Sequence, residues 1–275
     1  MLTFLFWNLK QSRPDLLASL VQRHQVNVVM LAECPTLPAR VLEALNQSTA
    51  DFFYVQSECP RIAIYTRFAE RYLAREKEDH YYTIRRLALP GHDEILVCVV
   101  HFPSKLFRSS SDQSYLATEF SKILVNTELE IGHSRTLLVG DLNMNPYEDG
   151  VVQAGCLHAV MTRGIARRPE RVLDGLVCKP YFYNPMWSHF GERKQGHAGT
   201  YYYSSPKVRA DFWNIYDQVL LRAQLLPFFH EETLRILHED DATMVSFLTL
   251  KGHPDAEKVS DHLPILFSLD ISPKE

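Results

Sequence analysis

The sequence predicts an α/β protein, and three observations predict it. Short apolar runs such as Leu2 to Trp7, Val26 to Ala32 and Ile95 to Val100 have the length and branched content of buried strands. Between such runs, apolar residues recur at helical spacing, as at Leu16, Leu17, Leu20 and Val21, and again at Leu116, Phe120, Ile123, Leu124, Thr127 and Ile131. No repeat period, low-complexity tract or Gly/Ser-rich linker divides the 275 residues, so a single domain over 1–275 is expected. With 46% hydrophobic and 23% charged residues the chain has material for a sizeable core and is not globally disordered. A net charge of -4 gives no whole-chain basic signature, so any nucleic acid would have to be held by a local patch.

In chain order, Leu2 to Trp7 is a strand that finishes on Asn8, a residue that alone reads as a turn former. Ser12, Pro14 and Asp15 open a helix. Val26 to Ala32 is a second strand ending on Glu33, which is either an ordinary rim carboxylate or, beside Asn8, a hard-metal ligand. Thr36 and Pro38 start a short helix through Leu45, and Phe52 to Val55 and Arg61 to Thr66 read as strands. Tyr81 to Leu89 is another, turning at Pro90-Gly91 into Glu94 to Val100, whose wholly apolar centre should be buried on both faces. That strand ends on His101, by default a polar cap. Lys105, just beyond, either points to solvent or reaches a phosphate near His101.

Ser109 to Ser114 reads as a polar loop ahead of the long amphipathic helix. The strand Leu137 to Val139 then runs through Gly140 and presents Asp141 and Asn143 before Pro146 ends the extended segment. Alternation places those two side chains on one side, where they suit a water and a phosphate oxygen. Residues 149 to 212 are the least regular. They hold Arg163, Arg167, Arg168, Arg171, Arg193 and Lys194 among aromatics such as Tyr181, Tyr183, Trp187 and Tyr201. Such a segment either grips a sugar-phosphate chain or is a long insertion held down by its own rings. Asp217 precedes the strand Val219 to Leu221, His230 to His238 reads as helical, and Met244 to Leu250 reads as a strand. Ser260-Asp261-His262 opens a final strand, Leu263 to Leu269.

Each polar residue is a weak signal by itself. Together, Asn8, Glu33, His101, Asp141, Asn143, Asp217, Asp261 and His262 all fall at or near an end of an apolar strand, and two histidines among carboxylates point to metal-assisted hydrolysis. The stretches Trp7-Asn8, Leu31-Ala32-Glu33, Val100-His101, Gly140-Asp141-Leu142-Asn143, Tyr216-Asp217-Gln218-Val219 and Ser260-Asp261-His262-Leu263-Pro264 resemble, in this order, the endonuclease/exonuclease/phosphatase superfamily. The resemblance implies a four-layer α/β sandwich of the deoxyribonuclease I-like kind, two mixed sheets packed face to face with helices outside and the active site at one edge. It implies that Glu33 coordinates Mg²⁺ or Mn²⁺, with Asn8 beside it and Asp261 contributing. It implies His262 as general base or phosphate ligand oriented by Asp217, Asp141 on the attacking water, Asn143 on a phosphate oxygen, and His101 near the phosphate as ligand or acid.

Two departures stand out. In deoxyribonuclease I a glutamate on an earlier strand pairs with the histidine that His101 resembles, and the nearest candidate here is Glu58; the Tyr216-Asp217 strand also lacks the more usual Asp-Tyr opening. The expected activity is a divalent-metal-dependent phosphoesterase, first a nuclease with Lys105, Arg167 and Arg168 against nucleic acid. The alternatives are a phosphatase or phosphodiesterase on a small-molecule or lipid-headgroup phosphate, and a binding module that kept the fold and lost catalysis. Five cysteines, odd in number and never in a C-x-x-C pair, read as reduced thiols, and neither a signal peptide nor a membrane span is expected, so the reading is a cytoplasmic protein.

Overall fold

The strands that show no polar alternation are those buried on both faces, and they form the middle of the molecule. In the computed structural model, residues 1–47, 51–106, 108–169, 171–191, 197–204 and 211–271 are described; Arg193 and Lys194 lie outside this set. β1 (Leu2–Asn8) and β2 (Val28–Ala32) are parallel neighbours joined through α1 (Pro14–Arg23). After α2 (Pro38–Leu45), β3 (Phe53–Val55) and β4 (Ile62–Thr66) extend this sheet on the β2 side. The strand Ile265–Leu269 pairs antiparallel with β1 on its other side, and Arg235–Ile236 closes that edge, giving six strands.

The second sheet has seven strands. β5 (Leu73–Asp79), β6 (Tyr82–Leu87), β7 (Ile95–His101) and β8 (Thr136–Asp141) are followed across the sheet by Asp217–Arg222, Phe182–Tyr183 and Ala159–Val160. β7 and β8 run parallel, which requires a crossover, and α3 (Ser110–Ile131) supplies it. Alternate residues divide the strands between two cores. Val97, Val99, Leu137, Val139, Val219 and Leu221 join the core shared with β1 and β2, whereas Leu96, Cys98, Val100, Leu138 and Leu220 pack with Ala117, Phe120 and Leu124 of α3. Two mixed sheets sandwiched between helices make the four-layer α/β architecture.

Several local expectations change. α1 starts at Pro14 without a side-chain cap, so Ser12 does not cap it. Ser109 to Ser114 is not a loop: Ser109 accepts from the Asp112 N–H while Asp112 accepts from the Ser109 N–H, and this reciprocal box starts α3 at Ser110. β5 was invisible as a strand because its side chains Arg75, Lys77 and Asp79 include the charges of an edge, turned to water. His230 to His238 is no α-helix; a 3₁₀ turn at Glu231–Thr233 leads into Arg235–Ile236, which pairs with Leu266 and Ile265. The open sheet edge supplies backbone partners that outweigh a short helical pattern. Of Met244 to Leu250, only Val245–Ser246 is strand, and Leu250 is fully exposed. All five cysteines are free, and among the described residues no helix is long and apolar enough to cross a membrane.

The sandwich brings polar strand ends to one rim. β1, β2, β7 and β8 deliver their C-terminal ends there, and the antiparallel Asp217–Arg222 strand delivers its N-terminal end, with Asp217 directly opposite Asp141. Gly140 makes this possible at the β7–β8 contact: a Cβ on it would lie 1.9 Å from the Val100 carbonyl oxygen.

Candidate active site

Asn8 and Asp141 come from different sheets and meet across the sandwich. The Asn8 amide donates to Asp141 Oδ2 at 3.0 Å, and the Asn143 N–H donates to Asp141 Oδ1 at 2.8 Å. Asn143 takes a left-handed backbone, φ 50°, and its side-chain amide donates to the Phe102 carbonyl, which ties the turn after β8 to the turn after β7. Glu33 also has positive φ, 51°, and so turns its carboxylate off the end of β2. The His101 Nε2 lies 3.2 Å from Glu33 Oε1 and 3.8 Å from Asp141 Oδ2. Glu33 is therefore the carboxylate partner of His101. Glu58, the sequence counterpart, is instead largely exposed and paired with Arg75.

On the other side of Asp141, His262 Nδ1 is 2.8 Å from Asp217 Oδ2, and its Nε2 is 3.9 Å from Asp141 Oδ2. The ring is held further by the backbone: Trp7 Nε1 donates to the His262 carbonyl at 3.0 Å, and Ser260 Oγ donates to the Asn8 carbonyl at 2.6 Å. Burial opposes charge on His262, but the carboxylates of Asp217 and Asp141 outweigh it and push the imidazole up to about 10. The two carboxylates favour its protonated form. Burial raises the Asp141 carboxyl, with His262 acting against the shift and Asp217 with it. The hydrogen bond to His101 holds Glu33 below the usual carboxylate range, against the pull of burial.

Asn8, Glu33, Asp141, Asn143 and His262 line a cleft of about 460 Å³ together with Lys10, Lys105, Asn145, Glu148, Tyr201, Asn214, Tyr216 and Asp261, while the buried His101 stands behind Glu33 and Asp141 and the buried Asp217 behind His262. Lys105 is ion-paired with Glu148 and sits over the Tyr216 ring, 5.2 Å from its centroid. Arg167 and Arg168 are exposed but do not line the cleft. They follow the short helix Arg163–Ala166, which packs on Ala223–Phe228 beyond the end of the Asp217–Arg222 strand remote from Asp217.

Sequence reasoning missed Lys10, Tyr201, Tyr216, Asn145 and Asn214 as contributors. Lys10 pairs with Asp261 at 3.0 Å, and Tyr201 stacks on Tyr216 at 5.3 Å while its ring lies 4.7 Å from that of His262. Asn145 donates to Asn214 Oδ1 and accepts from the Ile215 N–H, both at 2.9 Å, which fixes the approach to Asp217. The Asp-x-Asn-x-Asn spacing from Asp141 to Asn145, and Lys10 two residues past Asn8, were the available signals.

Hard oxygen donors and a buried unpaired one suit a divalent cation. Asn8 Oδ1 is buried with no hydrogen-bond partner among the described residues, at the strand end next to that carrying Glu33. Ligand atoms of Asp141, Asp217 and His262 also lie within 4.8 Å of one another. There, however, the 2.8 Å His262–Asp217 contact is a hydrogen bond that an ion would have to break. The Glu33 and Asn8 side of Asp141 is the better cation locus.

No family model and no curated protein matches the sequence. Solved structures do match. A 3′ phosphatase from Neisseria bound to a product DNA hairpin is 13% identical with a TM-score of 0.55, covering 98% of this chain and 100% of that one. The D. rerio TDP2 complexed with a single-strand DNA product is 16% identical with a TM-score of 0.51, covering 98% of both chains. An endonuclease/exonuclease/phosphatase family protein from Bacteroides thetaiotaomicron is 13% identical with a TM-score of 0.53, covering 98% of this chain and 97% of that one. Near-complete coverage in both directions, with two mixed sheets meeting at a polar rim, identifies the fold of this chain as that of the endonuclease/exonuclease/phosphatase superfamily.

Proposed function

We propose that this chain is a divalent-metal-dependent phosphoesterase, a nuclease cleaving phosphodiester bonds of nucleic acid, working in the cytoplasm as one catalytic domain over residues 1–275. The observation that carries the reading is the convergence of Asn8, Glu33, Asp141 and Asn143 with the Asp217–His262 pair on one cleft. Glu33 and Asn8 are the residues that would hold Mg²⁺ or Mn²⁺, with Asp261 beside them engaged by Lys10, and the bound ion would neutralise charge building on phosphorus. His262, kept cationic by its two carboxylate neighbours, donates to a phosphate oxygen; that favours phosphate binding over a general-base role. Asp217 orients the ring. Asp141, whose affinity for a proton is raised by burial, positions the attacking water and takes its proton, and Asn143 hydrogen-bonds another phosphate oxygen. His101 holds Glu33 in place from behind.

The DNA products held by two of the similar structures support a nucleic-acid substrate. Lys105, at the cleft mouth, contacts the substrate. Arg167 and Arg168 would be reached only by a polymer running about 20 Å along the strand from Asp217. A second reading, hydrolysis of a small phosphorylated molecule, is favoured by one feature. Among the described residues the cleft is lined by Glu33, Asp141, Glu148, Asp211 and Asp261 against Lys10, Lys105 and His262, so a long polyanion gains little there.

The test is cleavage of supercoiled plasmid, linear duplex, single-stranded DNA and RNA with Mg²⁺, Mn²⁺ or EDTA, with Glu33→Ala as control. The expected result is metal-dependent cutting that is lost in the variant. No cutting of any polymer, together with turnover of phosphorylated small molecules, transfers the assignment to the second reading. Cutting that survives EDTA overturns the metal.

A further inference from the structure

The cleft contains a lysine that no step above uses. Lys10 leaves the end of β1 two residues after Asn8. Its Nζ lies 3.0 Å from Asp261 Oδ2, with the two side chains 52% and 26% exposed. Its N–H donates to Ser260 Oγ, at 3.4 Å, so backbone and side chain both engage the turn that carries His262. Lys10, Glu33 and Asp261 line the same cleft. We infer that Lys10 is a built-in second cation, which occupies Asp261 and restricts the cleft to one divalent ion, at Glu33 and Asn8.

The argument is one of charge and of donor supply, and it rests on the metal-dependent reading above. Glu33, Asp141, Asp217 and Asp261 bring four carboxylates to the rim, and Lys10 and His262 bring two cations. Glu148, Asp211 and Lys105 line the same cleft, so acidic groups outnumber basic ones there, and the Lys10 ammonium offsets one of them at Asp261. The donors tell the same story. Asp217 is engaged by His262, Asp141 accepts from Asn8 and Asn143, and Asp261 is engaged by Lys10. Glu33, held at Oε1 by His101, and the unpaired Asn8 Oδ1 are left to meet the ion.

The test is Mn²⁺ binding followed by electron paramagnetic resonance, a readout independent of turnover, on wild type, Lys10→Met, Lys10→Arg and Lys10→Met/Asp261→Asn. Wild type and Lys10→Arg are expected to bind one Mn²⁺. Lys10→Met is expected to bind its first ion on the order of tenfold more tightly, from loss of one nearby positive charge, and to accept a second. The double variant should lose the second ion, which locates it at Asp261. Two ions on wild type, or a Lys10→Met protein with unchanged count and affinity, overturns the role of Lys10 and leaves the phosphoesterase reading standing. No Mn²⁺ on any of the four proteins overturns both.

Discussion

At the scale of single residues, function here depends on which groups are denied water. Asn8, Asp141, Asp217 and His262 are each at most 6% exposed, so their mutual hydrogen bonds act in a medium that strengthens them. His262→Ala removes the imidazolium and leaves Asp217 and Asp141 facing one another. The expected cost is on the order of 10²-fold or more in the rate of phosphoester hydrolysis, with an unchanged far-ultraviolet circular dichroism spectrum. Full activity in that variant would remove His262 from the mechanism. The left-handed backbones of Glu33 and Asn143 sit at the same rim, where the chain must leave a strand abruptly to aim a side chain at the cleft.

At the scale of elements, the edge of the second sheet is held by a buried ion pair. Glu78, near the end of β5, pairs with Arg85 of β6, each side chain 3% exposed, and also accepts from Thr83, Ser57 and the Glu58 N–H. Burial opposes ionisation of Glu78, yet these bonds outweigh it and hold the carboxyl below the usual carboxylate range. A folded-state value below the unfolded one means that the contribution to stability is present above the ordinary carboxylate range and is lost as pH falls through it. Glu78→Gln should therefore lower stability at pH 7 by roughly 3 kcal/mol, since it leaves the buried Arg85 guanidinium without its counter-charge. It should also flatten the fall of Tm between about pH 5 and pH 3 relative to wild type. An equally steep acid fall in the variant would assign the pH dependence to other carboxylates.

At the scale of the whole molecule, the cleft and the Arg167 and Arg168 pair lie apart, separated by a strand length, so they act on one substrate only if it is long. The double charge reversal Arg167→Glu/Arg168→Glu is expected to weaken binding of a duplex of some 30 base pairs and to reduce its salt dependence, while leaving a trinucleotide unaffected. Fluorescence anisotropy across a salt series measures both; equal weakening of the two ligands would mean that the arginines act through the fold. What was legible in the sequence is what depends on strand ends. Apolar runs buried on both faces must lie inside a layered fold, and a polar residue that stops such a run must lie at its rim, so Asn8, Glu33, His101, Asp141, Asp217 and His262 could be picked out as a set. Their pairing was not legible, because a hydrogen bond across two sheets joins residues such as Asn8 and Asp141 that are far apart in the chain. The sequence by itself determined the order of buried strands and the chemistry at their ends. Only the tertiary structure decided that His101 pairs with Glu33 and not Glu58, that Lys10 holds Asp261, and that the arginine cluster stands away from the cleft. Those outcomes are set by strand register and the facing of the sheets, and neither is local to any stretch of chain.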